Sequence, residues 1–306
     1  MSFVIWRVKQ ELWRNMLVTG QSRQDNIITI RSTIVLKKEK CIMDMGLKYK
    51  TALVTGSTKG IGKAIAIELA KEGVNVLING RNYEEVERTV NEIKSDFPAT
   101  SPQNATADIV DIGQREALFE KCPEIDILVN NMGIYEIMQY VDVDDEVWEK
   151  YFRTNVLAAN GLSKFYLPKM LKNDYGRLIF IASEEAIMPS GQMPQYGMTK
   201  SMLLSLSKSL SKLTIGTEVT VNTIMPGPTL SENVHQIIES MYPHEDMTFS
   251  EKEKDFMVTN LPQSEIQRFI KPIEIGRLAT FVCSPYASAF KGSPIRMDGG
   301  MVPTIF

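Results

Sequence analysis

From Lys50 onward, short apolar runs alternate with longer segments that carry an apolar residue every three or four positions. TALVTG (51–56), VNVLING (74–80), IDILVNN (125–131), GRLIFIAS (176–183) and EVTVNTIMPG (218–227) are apolar without a break, the pattern of strands covered on both faces. Between them, residues 59–73, 82–97, 113–122, 144–172 and 196–213 have helical periodicity. Strand and helix in strict alternation predict a doubly wound parallel sheet, an α/β fold of Rossmann type.

Two regions depart from the rhythm. Residues 226–271 form a long insertion after a predicted strand end, with helical stretches at 231–242 and 250–260, where a lid over a ligand tends to sit. Residues 1–45 have no place in the alternation. The expected organisation is therefore a non-core N-terminal extension, 1–45, and one domain, 46–306, carrying the lid. The extension is also a candidate for a segment outside the native product. Met43 and Met45 each give a short lead into the first strand, and Lys38-Glu39 is compatible with a purine-rich ribosome-binding sequence just upstream.

Composition narrows the chemistry. With 34 Lys plus Arg against 37 Asp plus Glu, the formal charge is −3, so no global basic excess argues for nucleic acid. Cys41, Cys122 and Cys283 are widely spaced and suggest neither a disulfide framework nor a zinc site, which fits a reducing cytoplasm. Only His235 and His244 exist, so a histidine metal centre, a Ser-His-Asp triad or a lactate-type dehydrogenase histidine is disfavoured. No metal is expected. No run approaches the roughly 18 apolar residues of a membrane span, and Arg7, Lys9 and Glu11 interrupt the start before a signal-peptide core forms.

The candidate chemistry begins at TALVTGSTKGIG, a strand, a glycine-rich turn and a helix start, which aims backbone N–H groups and a positive helix end at a phosphate. Arg81 follows the loop by roughly twenty residues. An acidic residue there suits a ribose 2′-hydroxyl, whereas arginine suits a 2′-phosphate. Lys59 adds a second cation. In IASEEAIMPSGQMPQYGMTK, Tyr196 and Lys200 share one helix face, and Ser183 ends a strand thirteen residues earlier. A free tyrosine has a pKa near 10, and a neighbouring ammonium is expected to favour its phenolate.

Together these motifs resemble the classical short-chain dehydrogenase/reductase family, over about residues 48–303. The resemblance implies an NADP(H)-dependent oxidoreductase that reduces a ketone to an alcohol or runs the reverse reaction. It implies that Tyr196 gives a proton to the carbonyl oxygen, Ser183 hydrogen-bonds that oxygen, Lys200 tunes Tyr196 and holds the nicotinamide ribose, and Asn155 supports Lys200 through water. Cofactor contacts implied are Gly56, Ser57, Lys59, Gly60, Ile61, Gly62, Arg81, Asn82, Asp108 and Ile109 at the end of a third strand, and Asn130, Asn131 and Gly133, besides Tyr196 and Lys200. Met132 stands where the family's N-N-A-G turn has alanine. Pro226 and Gly227 resemble the turn after the sixth strand, with Thr229 or Ser231 left to meet the nicotinamide amide. GSPIRMDGG (292–300) resembles the family's last strand and its D-G-G turn, near a subunit interface. A homotetramer or dimer is implied, with helices around Asn155 and Lys200 between subunits.

The substrate is open. Eight acidic residues (Glu232, Glu239, Glu245, Asp246, Glu251, Glu253, Asp255, Glu265) face Lys252, Lys254 and Arg268 across the lid sequence, which counts against docking of an acidic acyl carrier protein. Lid residues Met241, Tyr242, Met247, Phe249, Phe256 and Met257 either line a pocket or pack the lid itself. The competing function is a regulator that senses NADP(H) on the same fold without turnover.

Overall fold

The computed structural model describes residues 44–243 and 246–305. The expected extension therefore lies outside the described residues except for Asp44 and Met45, and His244, Glu245 and Cys41 lie outside them too.

Seven parallel strands form one sheet in the order β3-β2-β1-β4-β5-β6-β7. They are β1 (Thr51–Val54), β2 (Asn75–Ile78), β3 (Gln103–Asn104), β4 (Ile127–Asn130), β5 (Gly176–Ile181), β6 (Val219–Pro226) and β7 (Pro294–Met297). The order reverses beside β1, where β1 pairs with both β2 and β4; crevices at such a switch point hold ligands in doubly wound folds. The fold is the expected Rossmann-type α/β sheet.

Continuous apolar strands are explained by where their side chains go. Ala52 and Val54, Val76 and Ile78, Ile127 and Val129, and Ile179 and Ile181 join a core on one face. The intervening Leu53, Leu77, Leu128, Leu178 and Phe180 join a second core on the other. These four strands, β1, β2, β4 and β5, therefore alternate between two dry faces rather than between core and water.

Helices α1 (Gly60–Lys71), α2 (Tyr83–Asp96), α3 (Ile112–Lys121), α4 (Asp145–Tyr151), α5 (Ala158–Lys172) and α6 (Pro194–Ser211) fall where the periodicity places them. The single helix expected over 144–172 is instead α4 and α5 joined by a π-helical turn, Phe152–Leu157. Lid helices α7 (Glu232–Met241) and α8 (Phe249–Asn260) are present. A ninth helix, α9 (Pro272–Cys283), has no counterpart in the sequence reading. It starts at Pro272 with Glu274 accepting from the Lys271 N–H at 2.8 Å, and it crosses α1 so closely that a side chain at Gly276 would meet the Ala64 carbonyl oxygen at 2.7 Å.

A second correction concerns β3, which ends at Asn104. Asp108 and Ile109 are not at its end but in the loop beyond it.

Candidate functional site

The glycine loop runs between β1 and α1 with Gly56 at φ +61° and Gly60 at φ +56°, a region that side chains disfavour. Gly62 matters for a different reason. A Cβ there would lie 2.2 Å from the Gly56 carbonyl oxygen and 2.5 Å from Asn131 Nδ2, so the first turn of α1 sits directly on the loop. Ser57 is fully buried and donates to the Val54 carbonyl at 2.7 Å, and Ile61 packs on the first core.

Two residues missed in the sequence hold this loop. Thr55 Oγ1 accepts from the N–H groups of Asn131 and Met132, each at 2.9 Å, tying the loop to the end of β4. Asn79, at the end of β2, accepts from the Gly56 N–H at 3.4 Å and donates to the carbonyls of Ala105 and Ala107, tying it to the chain after β3. Both are polar residues ending apolar runs, which was their visible signal.

Helix α1 has no side-chain cap at Lys59. Instead the lid reaches over: Glu232 accepts from the Gly60 N–H, at 3.2 Å to Oε2 and 3.4 Å to Oε1. A carboxylate thus already occupies the anion position of this helix end, standing in for a phosphate oxygen. A helix-end N–H that holds a carboxylate, two left-handed glycines and a turn without room for a Cβ fit a dinucleotide diphosphate.

Arg81 and Lys59 are exposed, and among the described residues neither has an ion-pair partner. Asn82 caps α2, accepting from Glu85 N–H at 2.8 Å. The Asp108 carboxylate accepts from the Val110 N–H at 3.0 Å, and Ile109 is buried. Asn131 Nδ2 donates to the carbonyls of Thr55 and Gly56. Asn130 donates to Ser163 at 3.3 Å, while its buried Oδ1 has no partner among the described residues. Met132 packs against the second core, which accommodates the bulk that replaces alanine.

Gly133 is where the loop end meets the second half of the site: a Cβ there would come within 3.3 Å of both Asn155 Oδ1 and Lys200 Nζ. Asn155 is fully buried in the π-helical turn. It accepts from Ile134 N–H at 2.8 Å and donates to the Ile134 carbonyl at 3.1 Å and to Thr199 at 3.0 Å. The wider turn is the kind of local distortion that recurs at functional positions.

Lys200 Nζ, on α6, donates to the Ile181 carbonyl at 2.9 Å and lies 5.4 Å from the Tyr196 ring centroid. Burial lowers its pKa to about 8. Tyr196 behaves opposite to expectation: burial raises its pKa, assisted by Glu184, Glu185 and Tyr135, while the Ser183 hydroxyl pulls it down. With Lys200 turned to a backbone carbonyl, desolvation outweighs the ammonium. The phenol is held protonated, the form that donates.

Ser183 follows β5 and opens a short 3₁₀ turn, Glu184–Ala186. Its hydroxyl donates to Glu184 Oε2 at 2.6 Å and accepts from the Glu185 N–H at 3.2 Å. Glu184 and Glu185, absent from the expected site, are both buried. Burial, with Glu185 and Asp298 adding to it, raises the Glu184 pKa to about 7 against the opposing Ser183 contact.

Pro226 ends β6, and Gly227 packs on the Asp298 backbone, where a Cβ would meet the Asp298 carbonyl at 2.7 Å. Thr229 donates to the Gly227 carbonyl at 2.8 Å, leaving its oxygen free to accept. Ser231 caps α7, accepting from Val234 N–H at 3.3 Å.

The lid has its own core, Ile238, Met257 and Phe269 with Leu230, Val234, Tyr242, Phe249, Phe256 and Leu261 around them. Of the two open readings of its apolar residues, packing accounts for Tyr242, Phe249, Phe256 and Met257. Much of its acidity is engaged: Glu239 pairs with Lys252, Glu251 closes a capping box with Thr248, Glu253 accepts from Phe269 N–H, and Asp255 from Tyr242. That weakens the like-charge argument against an acidic carrier. His235 stacks on Phe249 at 4.1 Å, within the lid.

Comparison with known proteins identifies the family. The family description short chain dehydrogenase matches residues 50–241. The chain is similar to the uncharacterised oxidoreductase YvaG of Bacillus subtilis (strain 168), 48% identical over 264 residues, covering 86% of this chain and 100% of the relative. It is 31% identical over 260 residues to the D-β-hydroxybutyrate dehydrogenase of Cupriavidus necator, covering 84% of this chain and 99% of that one. The solved L-sorbose reductase of Gluconobacter frateurii, complexed with NADPH and L-sorbose, matches with a TM-score of 0.80 at 30% identity, over 86% of this chain and 100% of that one. A family match over more than half the chain, joined to relatives aligned along their whole length, makes this chain a member of the short-chain dehydrogenase family, oxidoreductases that work with a nicotinamide cofactor on alcohol and carbonyl groups.

Proposed function

We propose that the protein is an NADP(H)-dependent reductase of a ketone, or the corresponding alcohol dehydrogenase in reverse, working through Ser183, Tyr196, Lys200 and Asn155. The observation that carries the reading is the corner at Gly133, where Asn155 and Lys200 come within reach of one point while Tyr196 stands protonated beside Ser183.

A bound nicotinamide cofactor supplies the hydride that reduces the carbonyl carbon. The protein's part is the oxygen. Tyr196 gives its phenolic proton to that oxygen as negative charge develops, and Ser183 hydrogen-bonds the same atom. Lys200, close to Tyr196 and with its pKa lowered by burial to about 8, restores the phenolic proton, and Asn155 holds the Ile134 segment and Thr199 around it. The result is one C–H and one O–H bond formed for one hydride and one proton consumed.

The diphosphate would lie on the loop of Gly56, Ser57, Gly60, Ile61 and Gly62, displacing Glu232. Asn82, Asp108, Ile109, Asn130 and Asn131 would line the adenosine and ribose side, and Pro226, Gly227, Thr229 and Ser231 the nicotinamide side. Between the two hydroxyls, Thr229 is favoured because its oxygen has no donor. Arg81 and Lys59, unpaired and exposed, favour a 2′-phosphate, and the sorbose reductase relative was solved with NADPH. Arg81→Ala is expected to weaken NADPH binding by roughly 10- to 100-fold, the worth of a charge-assisted contact to phosphate, and to leave NADH binding unchanged. Equal losses for both cofactors, read by fluorescence titration, would remove Arg81 from this role.

The domain is proposed to be 46–306, with 1–45 outside it; intact-mass measurement of the natural protein finding Ser2 would refute a shorter native product. Exposed Phe152, Leu157, Met198 and Met202 on the π-helical turn and α6 favour a homo-oligomer, dimer or tetramer. No helix among the described residues is long and apolar enough to cross a membrane, and a cytoplasmic setting is proposed.

The substrate class is tested with a panel of L-sorbose, acetoacetate, acetoacetyl-N-acetylcysteamine and tropinone. NADPH oxidation with at least one is expected. Tight NADPH binding with no panel ketone consumed would favour a sensor of NADP(H) instead.

A further inference from the structure

Glu184 is a carboxyl with no obvious structural duty. It is 9% exposed, no ion pair reaches it among the described residues, and its Oε2 lies 2.6 Å from Ser183 Oγ. A buried carboxyl normally finds a cation or several N–H donors. Here the surrounding groups are mostly acidic or neutral. Its own N–H lies against the carboxyl, Glu185 shares its turn, Asp298 faces it from beyond β7, α6 presents Tyr196, and β6 presents nothing that titrates. Lys200, a cation on α6, is turned to the Ile181 carbonyl.

The contact creates a conflict within the proposed chemistry. A hydroxyl has one hydrogen. If Ser183 spends it on the Glu184 carboxylate, it has none for a carbonyl oxygen. The 2.6 Å separation serves equally well with the hydrogen on the carboxyl, and then Ser183 accepts from Glu184 and its own hydrogen is free.

Resting on the reading of Ser183 as a donor to the substrate oxygen, we propose that Glu184 is a positioning residue that sets the direction of the Ser183 hydroxyl. Protonated Glu184 donates to Ser183 Oγ and aims the Ser183 hydrogen at the carbonyl; ionised Glu184 claims that hydrogen. Burial places the changeover at a pH of about 7. No atom is transferred in the switch beyond one proton exchanged with solvent. Ketone reduction is therefore fastest below the changeover and declines as pH rises through it.

The test is the pH profile of kcat/KM for NADPH-dependent reduction of the panel ketone that turns over fastest, in the full chain. The wild type is expected to fall with a midpoint near 7. Glu184→Gln carries an amide N–H that donates to Ser183 at every pH, so its midpoint moves up by about one unit, toward the value near 8 at which Lys200 titrates. Glu184→Asp retracts the carboxyl and is expected to lose the low-pH plateau by about tenfold, on the scale of a partly lost oxyanion donor. A Glu184→Gln profile superimposed on the wild type would overturn the inference, as would a folded, NADPH-binding Glu184→Gln inactive at all pH, or Glu184→Asp with plateau and midpoint unchanged. Ser183→Ala separates the two levels. A loss of 100-fold or more alongside a silent Glu184→Gln refutes only the positioning role, whereas an unaffected Ser183→Ala removes the donor reading and this inference with it.

Discussion

Tyr196→Phe is expected to lose about 10³-fold or more in kcat for ketone reduction while binding NADPH as the wild type does. The phenol is the group in this corner held protonated by burial, and its hydroxyl is the atom removed. Proton donation by a positioned side chain is worth about 10²–10⁴-fold. The ring stays, so its packing near Tyr135, with centroids 6.0 Å apart, is kept and the fold is not put at risk. Stopped-flow turnover together with a binding titration separates the effects. Retained turnover would refute the assignment of the acid, and lost NADPH affinity would mean that the hydroxyl serves binding rather than chemistry.

The second large effect is at Gly62. A methyl group there would sit 2.2 Å from the Gly56 oxygen, 2.5 Å from Asn131 Nδ2 and 2.9 Å from the Gly56 carbonyl carbon. The nearest of these is backbone, the Gly56 carbonyl, and Asn131 is itself tied to the loop, so the loop must move off α1. Gly62→Ala is expected to cost about 2–3 kcal/mol, as overpacking does, and to appear chiefly as a 30- to 100-fold loss of NADPH affinity. The thermal midpoint should fall in the apo protein as well, since Asn131 anchors the loop to Thr55 and Gly56. Wild-type affinity in this variant would show that the diphosphate does not rest on this turn.

What could be read in the sequence follows from what periodicity records. Unbroken apolar runs exist because alternate side chains such as Leu53 and Val54 enter two different cores, and that duplicity is written in β1, β2, β4, β5 and β6. Helix α9 was not legible: its buried Ile275, Gly276, Ala279 and Val282 answer to α1 across a close crossing, a partner that no local pattern names. β3 is two residues long, so Asp108, which the family resemblance put at a strand end, lies in the loop beyond it. In the site, the spacing of Ser183, Tyr196 and Lys200 was visible, but the environment that sets their protonation was not. Burial, which reversed the expected direction for Tyr196, is a property of packing. Glu184 showed only as one of two adjacent acids until Ser183 was found against it.

The lid teaches the same lesson with charge. Eight acidic residues in its sequence suggested an acidic rim, yet Glu232 crosses to the Gly60 N–H, and Glu239, Glu251, Glu253 and Asp255 are held within the lid. Formal charge counted along a segment does not give the field at its surface once carboxylates serve as caps and pairs.

The central claim is hydride delivery to a carbonyl carbon at this corner, and isotope transfer tests it most directly. With NADPH deuterated at the transferring position of its nicotinamide and the fastest panel ketone, one deuterium is expected at the carbinol carbon for each cofactor oxidised. Tightly bound deuterated NADPH that never passes its label to any panel ketone would contradict the account.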